Sequence, residues 1–494
     1  MAERHLEIEQ KYDAAAGFVL PDLDGLPGVA SVGEPEVHEL HATYFDTPGL
    51  RLAAARITLR RRRGGTDAGW HLKLPAGPDG KQEVRAPLGR PLIVPALLAG
   101  LVAAHTRGTE LSPVATLQTR RTVVRLLDAD GEVLAEVADD LVTGQGGDAE
   151  PERWREIEVE LGSGAPELLK STGKRLRKAG AKKAKSSSKL GRLLGTVPAE
   201  AAARRTAARS RITAATSNGK APSITIGEVV LAYLAEQADA VIRFDPDARM
   251  GEDDAVHRMR VAVRRTRSTL RCYRPVLDDV RTAQLGPELR WLAQALGEVR
   301  DLEVLRMRFQ GAPAFLLDDL ESQEKAAYRR LNAGLKEQRY FTLLDDLDRL
   351  VADPPFSAAA EKKARKELPG FVTRAWERMA KDYASIKTSG DPDTARHETR
   401  KAAKRARYAA ELAVPVLGAA AKRVVGDAKR IQGVLGDHQD SVIAMQHLDA
   451  AGKSARTTEE AFALGVLYGN EQCEAEKAKN LLSTTWSRTL GPSF

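Results

Sequence analysis

The sequence predicts an α+β multidomain chain: a β-rich N-terminal half that closes around a charged interior, followed by an all-helical C-terminal half. Up to about residue 160, short runs of alternating character are separated by Gly, Pro and Asp turns, as in β-strands. Several of these runs carry their charged residues on one shared face. Beyond residue 223 the apolar spacing becomes helical, and the sequence repeats itself at an offset of about 140 residues.

The first strand has a charged face where an ordinary strand would have an apolar one. In the run HLEIEQKY, Glu7, Glu9 and Lys11 occupy alternate positions, and alternate side chains of a β-strand share a face. Such a face can be buried only if its charges are paired or bound to a metal or an ionic ligand. A solvent-exposed face is the alternative for this strand taken alone.

Later strands repeat this arrangement. Arg60 and Arg62 alternate in ITLRRRR, and Lys73 shares a face with His71 in GWHLKLP. Further charged groups on shared faces are Glu83 with Lys81 and Arg85, Glu136 with Asp140, and Glu156 with Glu158 and Glu160. Five or more such strands in about 160 residues predict a closed sheet with a charged lumen.

The residue types in this predicted lumen suit a short phosphate chain and a divalent metal. Arginine and lysine bind phosphate oxygens, and arginine does so through two donors at once. Clustered carboxylates suit Mg²⁺ or Mn²⁺, which prefer oxygen ligands. Metal and arginines would stabilise charge on a transferred phosphoryl group while a positioned water attacks. The sequence has no GxxxxGK[ST] loop, which excludes a Walker-type site.

The helical half is predicted to contain two tandem copies of a four-helix unit, at about 223–350 and 360–485. The matching blocks are VHRMRVAVRRTR (256–267) with RHETRKAAKRAR (396–407), and LGEVRDLEVL (296–305) with LGDHQDSVIA (435–444). Order and spacing agree between the copies, which indicates an internal duplication. The basic Ala/Arg/Ser-rich segment 201–222 is predicted to link the two halves.

Each copy carries a basic stripe along one helix face. The stripe residues are His257, Arg260, Arg264, Arg265 and Arg267 in the first copy, and His397, Arg400, Lys401, Lys404, Arg405 and Arg407 in the second. Aligned like charges are mildly destabilising, so the pattern predicts a bound polyanion. A solvated face with local acidic partners is the alternative. Metal binding is a minor alternative because the stripes lack ligand spacing, and DNA binding is one because they lack interleaved aromatics.

Cysteine content, the N-terminal sequence and the net charge indicate the cellular compartment and the class of partner. With two cysteines, Cys272 and Cys473, no disulfide framework is expected, and a reducing cytoplasm fits best. The opening MAERHLEIEQ predicts no secretory signal, and no run of 18 apolar residues predicts a membrane span. Net charge is +8, and residues 170–211 hold fourteen Lys or Arg against one acid. Such a segment attracts polyanions, although a solvated basic helix explains it equally well.

The N-terminal blocks resemble the CYTH (triphosphate tunnel metalloenzyme) family over about residues 1–200. The motifs that carry the resemblance are HLEIEQKY, ITLRRRR, GWHLKL, RRT, AEVADD, REIEVE and SSSKL, in the order of the family. The resemblance implies an eight-stranded antiparallel tunnel that hydrolyses triphosphates with Mg²⁺ or Mn²⁺ as cofactor.

The same resemblance implies roles for individual residues. They are Glu7, Glu9 and Lys11 as catalytic groups; Glu7, Glu9, Glu136, Asp140, Glu156 and Glu158 as metal ligands; and Arg60, Arg62, Lys73, Glu83, Arg121 and Lys189 as substrate-binding residues. Arg120 or Arg125 could take the place of Arg121, and Asp139 that of Asp140, because a slip of one residue turns a strand to its other face.

The chain from residue 223 to about 485 resembles the CHAD (conserved histidine α-helical) domain, on VHRMRVAVRRTR, RHETRKAAKRARY and the LGEVRD/LGDHQD pair. The resemblance implies a pseudo-twofold pair of four-helix bundles around a basic cavity that binds inorganic polyphosphate. Thr266, Lys401 and Lys404 depart from the usual family residues without removing the charge.

The combined expectation is an inorganic triphosphatase in the cytoplasm, with polyphosphate granules as a further location. Its expected partners are inorganic triphosphate and polyphosphate, with neither nucleic acid nor a membrane as partner. The alternative is a non-catalytic protein that binds polyphosphate or associates with granules. The sequence does not predict the oligomeric state.

Overall fold

The computed structural model describes residues 4–76, 80–147, 149–186, 188–195, 197, 200–217 and 224–494. The chain divides into two compact units, Met1–Ala199 and Glu200–Phe494. The first unit is built mainly from strands and the second from helices. Among the described residues, no helix combines the length and the apolar character that crossing a bilayer requires.

An antiparallel sheet closes on itself in the first unit. Its strands are β1 (Arg4–Ala14), β2 (Ser31–Val32), β3 (Glu36–Asp46), β4 (Thr58–Arg63), β5 (Gly69–Ala76), β6 (Gly80–Ala86), β7 (Ser112–Leu127), β8 (Val133–Gly146), β9 (Glu152–Leu161) and β10 (Lys182–Lys183). The ring runs β1-β6-β5-β4-β3-β7-β8-β9 and returns to β1, while the short β2 and β10 pair with β7 and β1. This closed eight-stranded barrel confirms the predicted tunnel.

Five helices accompany the described strands of this unit: α1 (Arg51–Ala54), α2 (Ala96–Leu101), α3 (Ala103–Thr106), α4 (Pro166–Lys178) and α5 (Lys189–Leu194). α4 packs outside the barrel, where Leu169 and Leu176 join a core with Tyr12. Gly173 permits this close approach, because a Cβ there would lie 1.9 Å from the Tyr12 hydroxyl. α4 ends at Lys178, and Lys182 and Lys183 then form β10, which pairs with β1.

The short helix α5 closes one end of the barrel. Its Leu190, Leu193 and Leu194 pack against apolar side chains that include Val142 and Trp154. α5 begins after the N-cap Ser188, whose side chain accepts a hydrogen bond from the backbone of the first turn. The apolar contacts fix the backbone of α5, and its first residue therefore enters the barrel at a defined position.

The second unit contains eleven helices in its described part. They are α6 (Glu200–Ser217), α7 (Ile226–Met250), α8 (Ala255–Cys272), α9 (Asp279–Thr282), α10 (Leu285–Arg308), α11 (Ala314–Gly334), α12 (Gln338–Ala352), α13 (Ala364–Ser385), α14 (Pro392–Leu417), α15 (Ala419–Gly452) and α16 (Thr458–Ser487). Two short 3₁₀ turns, Arg274–Val276 and Ala358–Glu361, separate some of them.

The sequence repeat is visible in the order of these helices. The second copy consists of α13 to α16, and the first uses α7, α8, α10 and α11 with an additional α12 that packs against α6, α7 and α10. The two copies meet at their beginnings, where Ile226 N donates to Lys362 O and Ala364 N donates to Ile224 O, each at 2.9 Å. This reciprocal pairing is what a twofold-like relation between the copies produces.

The segment expected to be a linker, 201–222, is helical over most of its length. α6 covers residues 200–217 and belongs to the second unit, whereas 218–222 lie outside the described residues. Alanine and arginine are good helix formers, and the buried Arg205 pairs with Asp239 and Asp348. A segment of low-complexity composition therefore forms a packed helix here, in which one buried arginine pairs with two partly buried aspartates.

Candidate functional site

The inward face of β1 places its three charged residues inside the barrel. Glu7 is 3% exposed, and Lys73 from β5 donates to its carboxylate at 2.5 Å. Lys81 from β6 donates to Glu9 at 2.7 Å, and Lys11 lies 2.9 Å from the same carboxylate. The side chains of neighbouring strands thus converge on the β1 strand.

The pairing of β1 with β9 adds further carboxylates to this face. Lys11 lies opposite Glu158, with which it forms an ion pair, and Glu9 lies opposite Glu160. Burial disfavours a charged lysine, yet Glu158 and Glu9 outweigh it and raise the pKa of Lys11. Lys11 is therefore a fixed positive charge within a ring of carboxylates.

Three carboxylates form a compact group, called here the carboxylate cluster: Asp140 on β8 with Glu156 and Glu158 on β9. One oxygen from each lies within 4.8 Å of the other two. Lys189, the first residue of α5, places its ammonium 2.7–2.8 Å from all three carboxylates. Trp154 Nε1 also donates to Glu156 at 2.7 Å and orients it.

This cluster fits a divalent metal. Three buried carboxylates cannot share so small a volume unless a cation compensates their charge, and oxygen ligands are those that Mg²⁺ and Mn²⁺ prefer. The ammonium of Lys189 occupies the centre as a stand-in cation. A metal ion there would replace this ammonium and free the lysine for a negatively charged group.

Guanidinium groups face the cluster from a part of the barrel called here the guanidinium wall: Arg60, Arg62 and Arg121. The Nε atoms of Arg60 and Arg62 are buried and find no hydrogen-bond partner among the described residues. The pKa of Arg62 is lowered to about 9, mainly by burial and further by the positive charges of Arg60 and Arg121. A small cavity of about 10 Å³ is lined by this wall together with Leu40, Ala42, Tyr44, Leu117, Thr119 and Lys189. Arg62 also pairs with Asp67, but the two Nε donors still lack an acceptor, which the oxygens of a bound anion would supply.

Glu83 organises cations near the wall. It accepts from His71 Nδ1 at 2.9 Å and from Arg85 Nε at 2.5 Å, and Lys73 lies 3.8 Å away. Burial opposes its charge, but the hydrogen bond from His71 and the charge of Lys73 lower the pKa of Glu83. Glu83 therefore lines the tunnel as predicted and also holds His71, Arg85 and Lys73 in position.

One predicted metal ligand lies apart from the carboxylate cluster. Glu136 shares a strand face with Asp140, but its side chain is 43% exposed and accepts a hydrogen bond from Arg125 at 3.0 Å. Arg125 also pairs with Glu36. Strand alternation places Glu136 on the correct face, yet the position along β8 puts it too far along the barrel to join the cluster.

The alternatives with the register shifted by one residue point away from the lumen. Arg120 faces Glu39 on the barrel exterior, where both side chains are more than 60% exposed, and Asp139 pairs with Arg155 at 2.6 Å. Arg121 instead donates to the carboxylate cluster through two nitrogens. The pairing register of β7 and β8 thus selects Arg121 for the interior.

The predicted site also lacked three residues that the structure adds. Lys81 binds Glu9, and Tyr44 accepts from Arg60 at 3.4 Å. Glu160 lies opposite Glu9, and burial together with the charge of Glu7 raises the pKa of Glu160 to about 7. Same-face alternation with Glu158 was the available signal for Glu160, whereas Tyr44 could be placed only once its strand partner was known.

Replacing Lys189 by methionine should tighten metal binding. Charge-assisted hydrogen bonds contribute about 1.5–3 kcal/mol each, so removing the competing ammonium should lower the Kd for Mn²⁺ by about tenfold or more. Titration of the full-length protein with Mn²⁺, followed by electron paramagnetic resonance, measures this. Arg192→Met is the matched control, because Arg192 lies on the same helix but pairs with Asp13. An unchanged or weaker affinity in K189M would contradict the competition.

In the helical unit, the repeated LG motif supports the repeated basic stripe. Arg260 on α8 packs over Gly297 on α10, where a Cβ would lie 3.2 Å from the guanidinium, and pairs with Asp301 at 3.2 Å. The second copy repeats these contacts with Arg400 on α14, Gly436 on α15 and Asp440 at 3.3 Å. The glycines provide room for the arginines and the aspartates hold them.

Positive charge concentrates between the two copies, in a group called here the central cluster: Arg260, Arg264, Arg400 and Lys404. Burial first, and then Arg264 and Arg400, lower the pKa of Lys404 to about 6. Arg264 likewise has a lowered pKa from burial and from the neighbouring arginines. Within the described residues neither Arg264 nor Lys404 forms an ion pair. Two of the four basic side chains in the cluster therefore have no acidic partner among the described residues.

A cavity of about 400 Å³ adjoins the central cluster and is lined by both copies. Its basic lining residues are Arg243, His257, Arg258, Arg264, Arg265 and Arg407, with Tyr408 and Glu236 beside them. Glu411 lies close by and pairs with Arg265 at 3.0 Å and Arg407 at 2.7 Å. One wall of this cavity is thus partly neutralised.

Three other predicted stripe residues have local partners. His397 hydrogen-bonds Gln439 at 2.8 Å, and the half-exposed Lys401 pairs with Glu398 at 2.7 Å. Arg405 lies 3.8 Å from Asp382. The structure therefore brings Arg260, Arg264, Arg400 and Lys404 together and leaves Lys401 on the surface.

Replacing Lys404 by methionine should stabilise the ligand-free protein. The folded pKa of about 6 lies below the ordinary value of 10.5, so the unfolded state binds more protons between these values and wild-type stability rises with pH across that window. The substitution should raise the free energy of unfolding by about 1–3 kcal/mol at neutral pH, and by less towards pH 10. Chemical denaturation across this pH range measures the effect.

The matched control for this prediction is Lys401→Met. Lys401 lies on the same helix but is exposed and paired with Glu398, so its replacement should leave the pH profile of stability unchanged. Equal profiles for K404M and wild type would show that Lys404 is not held among like charges.

Comparisons with protein families match both units. Residues 5–193 match the CYTH domain, and residues 232–449 match the CHAD domain. Two uncharacterized proteins from the CDC 1551 and H37Rv strains of Mycobacterium tuberculosis are each 38% identical over 517 residues. The alignments cover 97% of this chain and 95% of each relative.

Solved structures also match parts of this chain. The CHAD domain from the plant Ricinus communis is 22% identical, with a TM-score of 0.45, over 55% of this chain and 94% of its own. A putative adenylyl cyclase from Hippeastrum, described as having dominant triphosphatase activity, is 19% identical with a TM-score of 0.24. That match covers 39% of this chain and 99% of the Hippeastrum chain.

Proposed function

This chain belongs to the family of proteins in which a CYTH domain precedes a CHAD domain, and we propose that it hydrolyses inorganic triphosphate with a divalent metal while its helical unit binds inorganic polyphosphate. The observation that supports the first part is the position of the carboxylate cluster beside the guanidinium wall inside one closed barrel, where the Nε atoms of Arg60 and Arg62 have no partner among the described residues. Opposite charges at this spacing fit a phosphate chain bridged to a metal.

The chain's own residues would divide the work of phosphoanhydride cleavage. The guanidinium wall binds phosphate oxygens and stabilises charge that develops on the transferred group. Lys11 and Lys73 supply fixed positive charge beside Glu7 and Glu9, and α5 excludes water from one end. Asp140, Glu156 and Glu158 would hold Mg²⁺ or Mn²⁺, with Glu7 and Glu9 as further carboxylates. When bound, the metal supplies Lewis acidity and orients the attacking water.

Glu7→Gln should abolish most of the triphosphatase activity. The substitution removes a charge that pairs with Lys73 in the interior, and losses of about a hundredfold or more in kcat are typical when an electrostatic group of an active site is removed. Phosphate release from tripolyphosphate with Mg²⁺ or Mn²⁺ measures this. Glu39→Gln on the barrel exterior is the control and should keep wild-type activity.

The competing class of function is a polyphosphate-binding protein without turnover, associated with granules. Wild-type protein that releases no phosphate from tripolyphosphate with either metal, yet still binds polyphosphate, would establish that alternative. A difference between wild type and E7Q in phosphate release favours the enzyme. Cytoplasmic polyphosphate granules are the location that either activity would favour.

The central cluster supports the polyphosphate-binding part of the proposal. Four basic side chains from two copies converge, and two of them have no ion-pair partner among the residues that the structure describes. A linear polyanion would supply many negative charges without a large surface of its own. Its phosphates would also restore the proton to Lys404, since a nearby anion favours the charged form of lysine.

Polyphosphate affinity should fall as the pH rises above about 6. Free Lys404 loses its proton near that pH, so binding at higher pH must take up a proton, and the cost increases with pH. Isothermal titration calorimetry in buffers of different ionisation enthalpy measures this uptake. Lys404→Arg keeps its charge and should remove the dependence. Equal proton uptake by wild type and K404R would contradict the role of Lys404.

A further inference from the structure

Unpaired positive charge continues from the central cluster in one direction along α8. Arg267 and the exposed Arg271 follow Arg264 on the same helix, and α10 contributes Arg290 beside them. Arg260 contacts Gly297, and seven residues further along α8, Arg267 lies near Arg290, seven residues earlier on α10, so the two helices run antiparallel here. Within the described part of the chain, none of Arg267, Arg271 and Arg290 pairs with an acidic side chain.

In the other direction the charge is neutralised. Glu411 on α14 accepts from Arg265 at 3.0 Å and from Arg407 at 2.7 Å, and the Tyr233 hydroxyl donates to it at 3.2 Å. The ring of Tyr408 lies 5.8 and 5.6 Å from the same two guanidinium groups. These arginines therefore already have a carboxylate and an aromatic face as partners.

Comparison of the two sequence repeats identifies the residue change behind this difference in charge between the two ends. At the repeat offset of 140 residues, Arg271 of the first copy corresponds to Glu411 of the second. At the offset of 139 that relates the two LG motifs, Arg290 corresponds to Lys429. One exchange of charge sign, on an otherwise repeated scaffold, leaves one end of the basic surface positive and the other balanced.

We propose that Arg267, Arg271 and Arg290 form an outer subsite, over which a long polyphosphate chain extends from the central cluster. This inference rests on the proposed binding of polyphosphate by the helical unit. Seven residues separate Arg264 from Arg271, which is about 10 Å along a helix. A chain held at Lys404 must be long enough to cover that distance, so the outer subsite selects long chains over short ones.

The test compares binding of short and long polyphosphates to the full-length protein. All variants carry Glu7→Gln and are measured with a metal chelator, so that no chain is hydrolysed. Replacing both Arg271 and Arg290 by alanine should weaken the binding of chains of tens of phosphates by roughly five- to twentyfold, because two solvated ionic contacts are lost. The salt dependence of that binding should also become shallower. Tripolyphosphate binding should change by less than about twofold.

Two matched variants test whether the polyphosphate chain extends over the first copy and not over the second. Lys429→Ala removes the corresponding exposed charge in the second copy and should leave long-chain affinity unchanged. Arg271→Glu installs the residue that the second copy has and should weaken long-chain binding more than Arg271→Ala. Both positions are on the surface, and circular dichroism verifies that the variants are folded.

Several outcomes would overturn the outer subsite. Equal losses for Lys429→Ala and the double variant would mean a diffuse field without direction, and equal losses for tripolyphosphate would remove the length selection. Tighter binding of single-stranded DNA, lost in the same double variant, would assign the surface to nucleic acid. Failure of every polyphosphate to bind wild type would refute the proposed polyphosphate binding by the helical unit. Binding that is weakened by Arg264→Ala but not by replacement of Arg271 and Arg290 would refute only the subsite.

Discussion

Compensation of buried charge is the constraint on which the barrel depends. Closing the sheet takes charged side chains from most of its strands out of water, and such charges are costly unless an opposite charge compensates them. Lys73 with Glu7 and Lys81 with Glu9 satisfy this requirement between strands. The carboxylate cluster satisfies it with Lys189, which does not belong to the sheet. A site assembled in this way exchanges one set of counter-charges for another when metal and phosphate arrive.

The same constraint explains why α5 matters beyond packing. Leu190, Leu193 and Leu194 anchor the helix in apolar surroundings, and that anchor carries the ammonium of Lys189 into the cluster. The apolar contacts fix where the lysine enters, and the carboxylates fix where its ammonium rests. The short helix α5 thus both packs against one end of the barrel and supplies the lysine that neutralises the carboxylate cluster.

The helical unit meets the constraint less completely. Arg260 and Arg400 pair with aspartates of the repeated motif. Arg264 and Lys404 lie near each other and have no acidic partner among the described residues. Burial among like charges is reflected in the lowered pKa of Lys404. A domain that leaves such charges unbalanced has a surface prepared for a polyanion, and its internal duplication lets one exchange of residues bias that surface to one side.

The two-part architecture, the repeat and most of the charged residues that converge could be predicted from the amino-acid sequence. Alternation and helical spacing are local properties, and so Glu7, Arg60 and the two stripes could be recognised without coordinates.

Position along a strand and the choice of partner are not local. Whether Arg121 or its neighbour enters the lumen depends on the register with β8, and Glu136 lies outside the cluster only because of where its strand runs in the barrel. The helix at 200–217 likewise depends on Arg205 finding Asp239 and Asp348 far along the chain. Tertiary structure decided these points because ion pairing in a closed barrel or a bundle joins residues that sequence separates.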